Sequence, residues 1–229
     1  MIDEFLRVIN YFFNNLDRIF NYTIEHTILI VMAISISIIV WVFTGILIRN
    51  NKNIASGVLG FGSLIMSVPS IALYGILISI PGLGLSRQSA ILGLVLYSML
   101  PIVRNVYVAL NEVDPSIIEA AKGMGMSKKQ ILYKVQLPLS IPVILAGIRV
   151  STVMMVGIGT LAVYIGERNL GVLIEQGLTR SRSDMIIVGA IIVSFFAVVI
   201  DFLIGKLEKV AVSPGLREDE ISESSGGEK

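Results

Sequence analysis

No cysteine occurs among the 229 residues, and histidine occurs once, as His26. The first absence removes any disulfide framework and any thiolate metal site; the second removes a histidine cluster, so metal-centred and triad chemistry have no residues to work with. Charge is scarce too. Asp, Glu, Lys and Arg make up 15% of the chain against 54% hydrophobic residues, and mean hydropathy is +0.82. A soluble domain of that composition lacks the polar side chains to cover its own surface, so the chain reads as an integral membrane protein. No G-x-x-x-x-G-K-S/T run appears, so no phosphate-cradling loop is present and the energy for a pumped step has to come from another chain.

What is present is a series of apolar runs. Crossing roughly 30 Å of hydrocarbon takes about 20 apolar residues. Thr27 to Ile48 satisfies this, as do Ser89 to Leu110, the run from Pro138 to Ile165, and Met185 to Ile204. Residues 53–86 hold no charged side chain at all, which is too long for one straight crossing and too short for two. Pro69 and the Pro81-Gly82-Leu83-Gly84 stretch predict a broken helix followed by a turn or re-entrant piece. The expected fold is therefore all-α with five transmembrane helices.

The segment 1–22 carries Asp3, Glu4, Arg7, Asp17 and Arg18 among apolar residues, so it does not have the pattern of a cleaved signal. Phe5, Val8, Ile9, Phe12, Phe13, Leu16, Ile19 and Phe20 recur at helical spacing, which predicts an amphipathic helix in the interface or packed on other protein. The membrane domain then spans 23–210, and the polar tail 211–229 is expected to be disordered. Basic residues are unevenly spread. If the loop after Asn111 is cytoplasmic, eleven of the 18 Lys and Arg lie on that side, which predicts an external N-terminus and a cytoplasmic C-terminus.

That loop, residues 114–138, is built from stop and start signals. Asp114-Pro115 is an N-cap with a first-turn proline, opening a helix through Glu119, Ala120 and Ala121. Gly123 and Gly125 are expected to break it. Ser127 with Gln130 forms a capping box for a second helix, and Leu137-Pro138 is expected to stop that helix before the next span. The small Ala120 and Ala121 allow another backbone to approach, so the elbow reads as a docking surface for a partner protein.

The spacing of Glu119-Ala120-Ala121, Gly125 and Leu137-Pro138 resembles the "EAA" loop of binding-protein-dependent ABC importer permeases. The resemblance extends over residues 23–208. The runs SVPSIAL (67–73), YSMLPIVRN (97–105), VDPSIIEAAKGMGMS (113–127) and QLPLSIPVILAGIRVS (136–151) resemble the subfamily that imports glycine betaine, carnitine and choline. One stretch departs from it: Glu167, Arg168 and Asn169 stand where glycine or small residues are usual. The resemblance implies a type I importer fold in a bacterial or archaeal cell membrane. It also implies that the elbow, through Glu119, Ala120, Ala121, Gly123, Gly125, Leu137 and Pro138, couples to an ATPase subunit. Two ATPases would hold the ATP and Mg, with no cofactor in this chain. A second permease, identical or paralogous, and an external lipid-anchored binding protein would complete the complex, with membrane lipid as surroundings and no nucleic acid. A methionine or other amino-acid importer is the alternative within the class; a self-sufficient secondary carrier lacks support, since no inverted repeats or paired buried charges are evident.

Within the spans, Met66, Pro69, Tyr97 and Arg149 are candidates for the translocation path, Pro69 because a bend frees carbonyls near Met66. Arg149, about 16 Å along a helix from Pro138, is deeper than a rim charge, and snorkelling or pairing is the competing reading. Trp41, Tyr74 and Tyr97 offer aromatic faces of the kind that hold trimethylammonium groups, with packing as the alternative. Asp201 is expected to be a helix-end charge near Lys206, and His26 an interface residue at the edge of the first span.

Overall fold

The computed structural model describes residues 2–211, with side-chain surroundings for 4–208. Beyond Ala211 the polar tail lies outside the described residues. The described residues form helices throughout: α1 (Ile2–Asn14), α2 (Leu16–Ile48), α3 (Lys52–Ser67), α4 (Ser70–Ile78), α5 (Arg87–Asn111), α6 (Pro115–Gly123), α7 (Lys128–Ile165), α8 (Gly171–Thr179) and α9 (Ser183–Ala211). Helices α2, α5, α7 and α9 are each long and apolar enough to span a membrane. Helices α3 and α4 make the fifth crossing together, bent by 100° at Val68-Pro69. The bend follows from covalent structure: Pro69 supplies no N–H, and Val68 before it is extended at ψ 128°, as the proline ring requires. Five crossings place the start of α2 and the end of α9 on opposite faces, with α6 and the start of α7 on the same face as the end of α9.

Two helix boundaries differ from the sequence expectation. The helix that carries the first span starts well before Thr27, running unbroken from Leu16, and the break before it falls at Asn15, whose side chain donates to Tyr11 O at 2.8 Å. Helix α1 uses both of its faces. Tyr11 packs with Leu170, Leu173, Met185 and Val188 of the α8–α9 region, joined by Ile19 from the start of α2, while Phe5, Leu6 and Phe13 of α1 point outward, as does Phe20 of α2. Pro138 does not stop a helix either. The turn just ahead of Leu137-Pro138, residues Leu132–Gln136, widens into a π-helical turn, which accommodates a ring and a missing N–H that a regular turn would exclude. Helix α7 therefore continues for 38 residues.

The main core gathers Leu29, Ile30 and Ala33 of α2, Leu73 and Tyr74 of α4, Leu94 and Tyr97 of α5, and Met155 and Val156 of α7. Between lipid-exposed helices such packing rests on close approach more than on expulsion of water. At Gly147 of α7 an added Cβ would stand 2.6 Å from Cβ of Asn105, so only glycine lets α5 and α7 meet there. His26 belongs to this packed layer and does not face the interface: it is fully buried, edge-on to Phe196 at 5.4 Å and against Gly159. Its neighbour Glu25 pairs with Arg87 at the start of α5, so His26 does lie near the edge of the first span, and what its sequence position did not reveal is that other helices cover it.

Candidate functional site

The elbow is assembled from local hydrogen bonds. Asp114 accepts from Ser116 N–H at 2.8 Å, and this bond holds its carboxyl below the usual carboxylate range. Lys122, in the last turn of α6, faces the negative end of the helix. Gly123 closes α6 with no neighbour in the way of a side chain, whereas Gly125 takes φ +76°, the left-handed region. Of the two glycines, only Gly125 turns the chain. Its N–H donates to Lys122 O at 2.9 Å and that of Met126 to Ala121 O at 3.1 Å, which terminates α6 and fixes the corner. The capping box then starts α7: Ser127 N–H donates to Gln130 Oε1 at 2.7 Å, and Gln130 N–H to Ser127 Oγ at 3.3 Å.

The elbow is tied to the spans as firmly as it is capped. Gln136 Nε2 donates to Leu110 O at 3.1 Å and Ser140 Oγ to Ala109 O at 2.9 Å. Leu132 is buried in a cluster with Ile102, Val106, Leu110, Ile144 and Ile148. Ala121 is buried at the root of the elbow, while Glu119, Ala120, Gly123, Gly125 and Pro138 are exposed and Leu137 is half-buried. Sequence reasoning overlooked the elbow's own apolar surface. Ile117, Met124 and Tyr133 are 42%, 74% and 66% exposed, outside the membrane-crossing part of the chain. Their signal was legible as large apolar residues inside a charged loop. Such a patch on an ordered, water-facing segment marks a protein contact.

The span candidates divide. The hydroxyl of Tyr97 donates to Val68 O, the carbonyl at the α3–α4 break, so Tyr97 is brought to the break at Val68-Pro69, while Met66, in the last turn of α3, is exposed. Arg149 is engaged elsewhere. Its Nε and Nη2 donate to the two carboxylate oxygens of Asp201 at 2.6 Å each, with Glu208 at 3.7 Å, so Asp201 is not a helix-end partner of Lys206. The Lys206 ammonium lies over the Phe202 ring instead, at 4.5 Å. Of the other aromatics, Trp41 Nε1 donates to Val95 O at 2.7 Å and Tyr74 is buried.

On the face opposite the elbow, Arg87 at the start of α5 bridges two acids, Glu25 of α2 at 2.5 Å and Glu167 after α7 at 2.7 Å. Asn169 donates to Gly159 O and accepts from Gly171 N–H. The unusual Glu167-Arg168-Asn169 stretch thus has a structural role at two of its three positions, tying the α7–α8 turn to α2 and α5.

The family described as binding-protein-dependent transport system inner membrane component matches residues 42–210. The osmoprotectant import permease protein OsmW of Salmonella typhimurium is 38% identical over 91% of this chain and 99% of its own. The carnitine transport permease protein OpuCB of Listeria monocytogenes is 38% identical over 92% and 96%. The choline transport system permease protein OpuBB of Bacillus subtilis is 36% identical over 85% and 89%. Among solved structures, an inward-facing form of the MetNI methionine ABC transporter superposes with a TM-score of 0.77 over 87% of this chain and 99% of that one, at 20% identity, which establishes a shared fold.

Proposed function

The chain belongs to the binding-protein-dependent transport system inner membrane components and is a permease component of an ABC importer; on that premise we propose that its cargo is a quaternary-amine osmoprotectant such as glycine betaine, carnitine or choline. The names of the relatives similar over most of the chain support that cargo class. The single observation that carries the coupling role is the elbow: a doubly capped corner that displays Ile117, Met124 and Tyr133 to water at the end of a helix reaching across the bilayer.

In this reading the elbow sits on an ATPase subunit in the cytoplasm, the C-terminus is cytoplasmic and the N-terminus external. ATP and Mg are held by two such subunits, and this chain does no catalysis of its own. A second permease, identical or paralogous, completes the pore, and an external lipid-anchored binding protein delivers the solute. When the ATPases close on ATP, each pulls its elbow. Helix α7, about 57 Å long at 1.5 Å per residue, carries the displacement to the opposite face without a joint at Pro138. The solute passes the α3–α4 break, where Met66, Pro69 and Tyr97 line its route, and Arg149, held by Asp201 between α7 and α9, is a separate candidate for the path.

The test is reconstitution of the chain with its ATPase and binding protein in proteoliposomes. ATP hydrolysis and uptake should rise with a betaine, carnitine or choline and stay at the basal rate with methionine. Stimulation by methionine alone overturns the cargo; failure of the ATPase to bind the permease overturns the coupling role.

A further inference from the structure

A polar pocket of about 610 Å³ lies on the face opposite the elbow, between α1, the start of α2 and the α8–α9 turn. Four arginines line it: Arg7, Arg18, Arg180 and Arg182. Asp184 is the one carboxylate in the lining, and it is paired with Arg182. A second acid, Glu4, accepts from Ser183 at the rim at 3.3 Å. Arg18 donates to Gln176 Oε1 at 3.0 Å, a neutral partner, and Arg180 has no ion pair among the described residues. Positive charge is therefore concentrated here beyond what the protein neutralises.

A second observation points the same way. Tyr11 lines the pocket and is more than nine-tenths buried beneath the Arg182 guanidinium, 5.4 Å from ring centre to Cζ, yet its hydroxyl has no hydrogen-bond partner. A buried hydroxyl without a partner costs about 1–3 kcal/mol, so such groups ordinarily have one. A bound oxyanion would accept from the guanidinium groups, and a small turn of the Tyr11 ring would bring its hydroxyl to the same anion.

We propose that this pocket holds the phosphodiester headgroup of an anionic phospholipid. The chemistry alone would suit a free phosphate, but the surroundings favour a lipid. Next to the lining residues Asn14, Asn15 and Arg18, the side chains of Phe13, Leu16 and Phe20 are turned outward, so the cationic pocket adjoins apolar surface at the edge of the spans. A headgroup in the pocket lets its acyl chains lie along that surface, and α1 is thereby held in the interface. A soluble protein surface would have to cover the same exposed aromatic side chains with no hydrocarbon to receive them.

Native mass spectrometry of the assembled transporter in mild detergent tests this, with phosphatidylglycerol, phosphatidylcholine and inorganic phosphate as probes. Phosphatidylglycerol should be retained about tenfold more tightly than phosphatidylcholine, and the Arg7→Gln/Arg180→Gln double variant should lose the preference. Should the double variant fail to assemble, Arg180→Gln alone, on an exposed turn, should weaken the preference and Arg180→Lys should keep it. Tyr11→Phe should also weaken retention of the lipid without lowering the melting temperature of delipidated protein, since no bond is lost there. Equal retention of the two lipids, an unchanged preference in the arginine variants, or displacement by equimolar inorganic phosphate overturns the proposal. So does a double variant that loses capture of the binding protein but keeps its lipid preference.

Discussion

At Gly125 the backbone lies at φ +76°, a region that costs a residue with a Cβ about 1–2 kcal/mol and a β-branched residue more. Gly123, two residues earlier, has neither a positive φ nor a neighbour within 4 Å of an added Cβ. The two glycines therefore separate strain from contact. Gly125→Val should reduce coupled transport by about tenfold, the population cost of that strain, while the spans fold and insert normally. Gly123→Ala should leave the isolated chain unchanged in thermal stability, and any loss of ATPase binding in that variant reports a surface the partner touches. Asp114 gives a second residue-level expectation. Its carboxyl is depressed by the Ser116 N–H, so the cap is fully present at neutral pH, above the ordinary carboxylate value of about 3.9, and is lost as pH falls through the lower folded value. Hydrogen exchange at Ser116 to Ile118, corrected for intrinsic rates, should accelerate in acid for the natural chain. Asp114→Asn, which caps without titrating, should show no such change, and Asp114→Ala should exchange fast at every pH.

Helices that depend on local signals were legible in the residues, and those that depend on a distant partner were not. Asp114, Ser127 and Gln130 mark their caps because each bond is made within three residues. The bend at Pro69 was legible for the same reason. Pro138 was misleading, because the π-turn that absorbs it is stabilised by Leu132 packing and by the Gln136 bond to Leu110, both made across to α5. The Arg149–Asp201 and Arg87–Glu25–Glu167 clusters join residues 52, 62 and 80 apart, and periodicity carries no information about which helices meet. Two variants address these elements. Deleting Val135 should convert the wide π-turn to a regular one that leaves the elbow and the span in nearly the same relative orientation, so membrane insertion and ATPase coupling should both persist, whereas loss of coupling would show that the wide turn itself is needed. Arg149→Ala and Asp201→Ala should each lower the melting temperature in detergent, and in a double-mutant cycle the double variant should lose less than their sum. Additive losses would show that the bidentate pair contributes nothing to stability.

Among the described residues, polar groups gather at the elbow on one face and at the arginine pocket with the Arg87 cluster on the other, joined by helices whose outer surfaces are largely apolar. The absence of cysteine makes this arrangement directly measurable, since any introduced thiol is the only one in the chain. Met124→Cys stands at the exposed corner of the elbow and Arg168→Cys on the exposed α7–α8 turn across the bilayer. A membrane-impermeant maleimide should label Arg168→Cys in intact cells and Met124→Cys only in inverted vesicles, as an external N-terminus and a cytoplasmic elbow require. Adding the ATPase to inverted vesicles should then protect Met124→Cys, and nucleotide should change the rate of labelling, because the corner is pulled as the ATPases close. Labelling of Met124→Cys from outside the cell would invert the topology. Unchanged labelling in the presence of bound ATPase would leave the Ile117, Met124 and Tyr133 surface uncovered, and the lever would have to engage its partner through some other part of the loop.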